Sequence, residues 1–176
     1  MSCDITLGRK EACKTSVGGL KAIYFINYDG DFYNSATITS NSISALTAVV
    51  PTFKYELKGD NNTFEEANEN SRENGTSFFT QTGALVIKVQ DSATQAELTL
   101  LSYGRPHVII EDHNGNFRLA GAKNGVEVSV STSTGGAMGD LNGYNLSFEG
   151  KESDLSTFID SALIGAVDGF TVTEGA

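Results

Sequence analysis

The spacing of apolar side chains predicts β-structure over most of the chain. Residues 21–28, Lys-Ala-Ile-Tyr-Phe-Ile-Asn-Tyr, are rich in aromatic and β-branched types and predict a buried strand, which Asp29-Gly30-Asp31 ends. Residues 36–49 alternate Thr, Ser, Ile and Val and predict one or two short strands. In Phe53-Lys54-Tyr55-Glu56-Leu57-Lys58 the alternation is strict, with Phe53, Tyr55 and Leu57 pointing one way and the charged residues the other. One face of that strand is expected to be buried and the other wet, as in an antiparallel sheet.

Residues 59–75 interrupt the pattern. They hold Asp60, Glu65, Glu66, Glu69 and Glu73 against Arg72 alone, with Phe64 as the only large apolar side chain. This predicts a long acidic loop between strands. Loops above about 12 to 15 residues are uncommon unless functional or disordered, and a self-repelling one would be ordered by a partner. From Thr76 to Gln90 the strand pattern resumes. Phe79, Gln81, Gly83, Leu85, Ile87 and Val89 share one side, and Gly83 is placed to allow a bend or bulge. Residues 53–90 therefore read as one long antiparallel hairpin with an acidic tip.

The period then changes. Ala96, Leu100 and Tyr103 fall at i, i+4 and i+7, with Ala93 and Leu101 beside them, and predict a helix over 92–103. Ser92 is its expected N-cap, with Gln95 in the capping-box position, and Gly104 and Pro106 stop it. Strands at 107–111 and 116–120 flank Asp112-His113-Asn114-Gly115, where Asn-Gly predicts a primed turn with both central residues at positive φ. Val126–Val130 and the alternating Tyr144, Leu146 and Phe148 supply two more strands. After Ser153, the positions of Leu155, Phe158, Ile159, Ala162 and Leu163 predict a C-terminal helix, which Gly165 stops. A short strand or arm at 170–173 follows. The expected fold is mainly β: an antiparallel β-sandwich or partly closed barrel with a flanking helix, a long hairpin with an acidic loop, and a C-terminal helix. The expected organisation is an N-terminal arm over 1–20, a β domain over 21–152, and a C-terminal helix and tail over 153–176.

A length of 176 residues suits one domain, and 19 Gly with 2 Pro suit a β-rich chain with many tight turns. The formal net charge of −10, from 12 Lys and Arg against 22 Asp and Glu, has the wrong sign for duplex DNA or an anionic membrane. No stretch approaches the roughly 18 consecutive apolar residues of a membrane helix. Met1-Ser2-Cys3-Asp4 lacks the basic start and apolar run of a secretory signal, so synthesis and folding are expected in a cytosol. Cys3 and Cys13 read as ordinary thiols, with a bridge between them open only in an oxidising setting. The N-x-S/T matches at Asn61, Asn74 and Asn145 then read as chance.

No catalytic, metal or cofactor site emerges, so an enzyme is not expected. Gly135-Gly136-Ala137-Met138-Gly139 looks like a phosphate cradle, but Asp140 stands where a P-loop needs Lys. His107, Glu111, Asp112 and His113 gather around one hairpin and could reach a metal, although a polar hairpin tip explains them as well. Glu65, Glu66, Glu69 and Glu73 lack the order of a calcium loop. There is no G-x-S-x-G elbow, and no base is nominated for Cys13.

Three segments carry a resemblance. They are Ser71-Arg72-Glu73-Asn74-Gly75-Thr76, the block from Gly104 to Gly121, and Gly139-Asp140-Leu141-Asn142-Gly143-Tyr144 through Phe148-Glu149-Gly150-Lys151-Glu152. In this order they resemble virion structural proteins of tailed bacteriophages, most closely the tail tube (major tail) proteins, over roughly residues 20–152. The resemblance implies a β-sandwich or partly closed barrel with a flanking helix, assembled into hexameric rings that stack into a tube. It implies partners that are copies of the same chain and other tail proteins, a location in the virion after synthesis in the bacterial host, and DNA that transits without specific binding. Residues 59–77 would then touch the adjacent subunit or ring, with Asp60, Phe64, Glu65, Glu66, Glu69, Arg72 and Glu73 as interface candidates. Acidic residues lining a bore would let DNA slide without sticking; the sequence does not single out which ones. Two other readings fit the same pattern: a head–tail connector, ring or terminator protein of similar β-fold, and a monomeric β-sandwich ligand-binding module.

Overall fold

A computed structural model describes residues 5–175. The fold is mainly β, with two sheets packed as a sandwich and no closed barrel. The strands are β1 (Leu20–Ile26), β2 (Thr37–Thr39), β3 (Ser42–Ala45), β4 (Val50–Glu56), β5 (Thr63–Ser71) and β6 (Thr76–Lys88), then β7 (His107–Asp112), β8 (Phe117–Ala120), β9 (Glu127–Ser133), β10 (Gly143–Glu152), β11 (Thr157–Ile159) and β12 (Phe170–Glu174). A one-turn helix α1 (Phe32–Ser35) follows β1, and α2 (Ser92–Tyr103) follows β6. The larger sheet runs β12-β4-β1-β7-β8-β11-β3-β2 and the smaller β5-β6-β10-β9.

β1 explains the layering. Its side chains alternate between two cores: Ile23 and Phe25 face the smaller sheet, while Ala22, Tyr24 and Ile26 face away from it. The first core receives Leu85 from β6, Tyr144, Leu146 and Phe148 from β10, and Leu98 from α2. The second joins Ile43 of β3, Ile159 of β11 and Phe170 of β12. Strands from near both ends of the larger sheet meet there, so that sheet curls over its own far face. Burial on both faces accounts for the continuous apolar run in β1.

A chain of buried polar contacts ties the layers. The Gln81 amide of β6 donates to Glu66 Oε1 of β5 at 3.0 Å and accepts from Gly121 N at 2.8 Å. Glu66 also accepts from Ser156 N and Oγ at 2.7 and 2.8 Å, just before β11. The Gly121 carbonyl is 2.6 Å from His107 Nδ1. A carbonyl cannot donate, so Nδ1 carries the proton, and Nε2 can accept from Asp29 N at 3.1 Å. Toward the other end of β7, Glu111 accepts from Lys21 Nζ and Tyr24 Oη at 2.5 and 2.7 Å. Burial, reinforced by the Glu111 carboxylate, pushes the Tyr24 hydroxyl well above the phenol range.

Several expectations need correction. The hairpin expected over 53–90 does not form: β4 pairs with β1 and β12 in the larger sheet, and β6 pairs with β5 and β10 in the smaller. The acidic 59–75 stretch is not a loop, because residues 63–71 are a strand, with Phe64 opposite Gly83 and Glu66 opposite Gln81. Its polarity hid an alternation whose inward member is a hydrogen-bonded glutamate. The helix at 92–103 forms, but Asp91, not Ser92, is its N-cap, accepting from Thr94 N at 2.7 Å. Its buried residue is Leu98, and the expected Ala96, Leu100 and Tyr103 stripe faces solvent. At 112–116 only Gly115 has positive φ (79°); the primed pair is Ser40-Asn41, at 52° and 59°, between β2 and β3.

The C-terminal helix expected over 155–164 is also overturned. Thr157–Ile159 is a strand between β8 and β3, followed by one 3-10 turn, Ser161–Leu163. Thr157 and Ile159 are buried whereas Leu155 and Phe158 are exposed, so a period of two outweighs the helical spacing. β12 pairs in parallel with β4, which makes both C-terminal strands part of the larger sheet. Residues 5–19 carry no strand or helix, and all are exposed. Cys13 is free and exposed, whereas the Cys3 end of the suggested bridge lies outside the described residues.

Gly83 forms no bulge: β6 pairs with β10 in unbroken register from Phe79 to Lys88. It makes room for an aromatic ring, since a Cβ there would lie 2.2 Å from Phe148 Cε1. Gly83→Ala is expected to cost about 1–3 kcal/mol by overpacking, read as a lower urea midpoint. A cost no larger than that of Ser147→Ala, on the exposed face of β10, would remove this packing role.

Candidate functional site

The smaller sheet has one face in the core and one face bare. Register fixes which side chains share the bare face. One row across its four strands reads Glu65, Thr82, Glu149, Glu127. The next reads Thr63, Ala84, Ser147, Ser129. Val86, Asn145 and Ser131 share the row after that. This face therefore offers small polar side chains and carboxylates. It forms an open concavity of about 1020 Å³, whose lining also includes Arg105 and Lys151.

Glu149 and Glu127 stand directly opposite each other on β10 and β9. Like charges so placed repel. Lys151 Nζ, 3.6 Å from Glu149, offsets part of this from an exposed position.

The borders of the sheet are β5 and β9, each with a single strand neighbour among the described residues. Backbone donors and acceptors along such borders can pair with another strand, and α2 packs against β9. β5 and β6 also outrun β10. Pairing with β10 stops where Glu152 meets Phe79, while the ribbon continues to Ser71 opposite Thr76. An isolated two-stranded ribbon is marginal in water, so a neighbour on this projection would stabilise it.

The seven interface candidates divide. Phe64 belongs to the sandwich, stacked on Phe148 at 6.2 Å between ring centroids. Glu66 is the internal anchor described above, with Arg118 Nη1 3.7 Å away. Asp60, Glu65, Glu69, Arg72 and Glu73 are exposed: Asp60 precedes β5, Glu65 lies in the carboxylate row, and Arg72 and Glu73 form the ribbon turn. Glu69 accepts from Thr80 Oγ1 across the ribbon at 2.5 Å. Glu127 and Glu149 were missed, because their pairing with Glu65 depends on register between strands distant in sequence.

The other suggestive clusters are internally satisfied. Both His107 nitrogens face backbone groups, Glu111 holds Lys21 and Tyr24, and Asp112 accepts from Asn114 N and from Asn116 N and Nδ2. In the glycine-rich loop, Gly136 N and Ala137 N both donate to Asp140 Oδ2 at 2.8 Å. The cradle thus holds its own carboxylate where a phosphate would sit. Those bonds keep the Asp140 carboxyl below the ordinary range. Thr94, through its side chain and then its backbone N–H, does the same for Asp91. For Asp112, burial pushes upward, but bonds from Asn116 and Asn114 prevail and lower it.

Comparison with protein-family models, with curated proteins and with solved structures finds no match.

Glu127→Gln is expected to stabilise the chain by about 0.5 kcal/mol, the scale of a relieved cross-strand repulsion. Added salt should raise the urea midpoint of the parent more than that of the variant, and equal salt responses would count against the repulsion. The lowered Asp91, Asp112 and Asp140 carboxyls contribute stability that is complete above about pH 4 and is lost as pH falls through their folded values. Asp140→Asn should therefore flatten part of the acid limb of a plot of midpoint against pH.

Proposed function

We propose that the chain is a virion structural protein, a tail tube subunit whose copies assemble into stacked rings around a conduit for phage DNA. The observation that carries this reading is the smaller sheet, with one bare polar face and two borders open to further strands. Joining β5 of one copy to β9 of the next would extend the sheet around a ring and satisfy both borders. The bare face would then line the bore. The row of Glu65, Glu149 and Glu127 would recur in every subunit as a belt of negative charge. Such a wall repels the phosphate backbone, so DNA passes without adhering.

The ribbon tip, with Arg72 and Glu73, would meet a neighbouring subunit or ring. The resemblance of the Ser71–Thr76, Gly104–Gly121 and Gly139–Glu152 segments to tail tube proteins points the same way. On this reading the protein is made in the host cytoplasm, resides in the phage tail, and takes copies of itself and other tail proteins as partners. A connector or terminator ring would use the same borders, and copy number per particle separates it from a tube subunit.

The concavity is what a monomeric ligand-binding module would use. It is open to solvent, and among the described residues no buried side-chain nitrogen or oxygen lacks a partner.

Negative-stain electron microscopy of the purified full chain tests the proposal. Rings or rods are expected, and Thr132→Pro in β9, at a position whose N–H points away from β10, should abolish them while the monomer stays folded by circular dichroism. Particles that remain single at every concentration, also with a tail-initiating partner added, would overturn it.

A further inference from the structure

Two exposed features at opposite ends of the molecule complement each other. The first is the arm, residues 5–19. It carries Arg9, Lys10 and Lys14 against Glu11, on a chain whose formal charge is −10. Ile5 and Leu7 are 93% and 86% exposed, and in extended backbone they project from the same side. The arm leaves the body at the β7–β8 turn. There Val17 N donates to Asn114 Oδ1 at 2.9 Å, and Asn114 Nδ2 donates to Val17 O at 2.7 Å. That turn lies at the Leu20 end of β1, where Leu20 stands opposite Asp112.

The second feature is a groove of about 290 Å³ between α2 and β4, lined by Tyr28, Phe53, Tyr55, Leu100, Leu101 and Pro106. It lies at the other end of β1, where Ile26 stands opposite His107. Leu100 is 65% exposed, and Ala93, Ala96 and Tyr103 continue an apolar stripe along the outer face of α2. Of the two charged residues in its wall, Glu97 has the opposite sign to the arm. Glu97 lines the groove and is the only charged residue of α2. Arg105, also in the wall, is engaged over the Tyr28 ring at 4.1 Å.

We propose that the arm of one copy docks in the α2–β4 groove of a second copy, with Ile5 and Leu7 on Leu100 and Phe53 and with Arg9 or Lys10 near Glu97. In this structure the arm is exposed throughout and lies outside its own groove, which is about 20 Å off from the Asn114 clamp along β1 at about 3.3 Å per residue. The contact joins different surfaces of the two copies, so it closes a pair if the arms are exchanged reciprocally and propagates if they are not. It gives the outward stripe of α2 a use that the fold does not. It does not depend on which sheet borders join in a ring.

Disulfide trapping tests the contact. In full-length protein with Cys3→Ser and Cys13→Ser, one preparation carries Leu7→Cys and another Leu100→Cys. Both positions are exposed, so both variants should fold, which circular dichroism checks. Mixing the two under mild oxidation is expected to give a covalent dimer at least about tenfold above either preparation alone, and Leu7→Asp in otherwise unsubstituted protein should shorten assemblies. No mixed dimer from folded variants would overturn the proposal. So would a link formed only within one chain when both cysteines are present. Rings or rods without the mixed dimer would leave the tube reading standing and remove this contact; a mixed dimer without rings would do the reverse.

Discussion

The sandwich depends on one buried amide. Gln81 sits in the centre of the smaller sheet, holds Glu66 with its NH2 group, and takes the Gly121 N–H with its oxygen. Gly121 in turn receives His107, and Glu66 receives Ser156. Each member spends its hydrogen-bonding capacity on the next, so removing any one strands a buried partner. Apolar packing between two sheets tolerates sliding, whereas a directional chain of this kind fixes how they sit. Register within the smaller sheet, in turn, determines which glutamates share the bare face that this docking leaves outward.

The sequence made the elements legible wherever burial and period agreed. β10 alternates perfectly between Tyr144, Leu146 and Phe148 inside and Asn145, Ser147 and Glu149 outside. The failures have physical causes. β5 went unseen because its inward glutamate is satisfied by Gln81 and Ser156, neither of which is close in sequence. The apparent helix at 155–164 was a coincidence of spacing, overridden by partner strands from distant parts of the chain. In α2 the helix was evident, but the sequence could not say that its wider apolar stripe faces outward. As for the site, the acidic character of 59–75 was visible. The carboxylate row was not, because it is assembled from three strands by register.

The same structure explains why suggestive motifs carry little chemistry. The glycine-rich loop is occupied by Asp140, the hairpin histidine is locked between backbone groups, and Glu111 is bound by Lys21 and Tyr24. What remains unspent is backbone along β5 and β9, apolar surface on α2, and an exposed basic arm. These are the resources of association.

The parallel pairing of β12 with β4 also bears on how the molecule comes into being. Phe170 seats against Phe32 and lies beside Val50, although they are 138 and 120 positions apart in the sequence. Closing such a distant pair is slow relative to forming the local β7–β8 or β5–β6 turns. A nascent chain emerging from the ribosome would therefore keep its second core open until its last strand is free, while the smaller sheet, built from nearer neighbours, can already be in place.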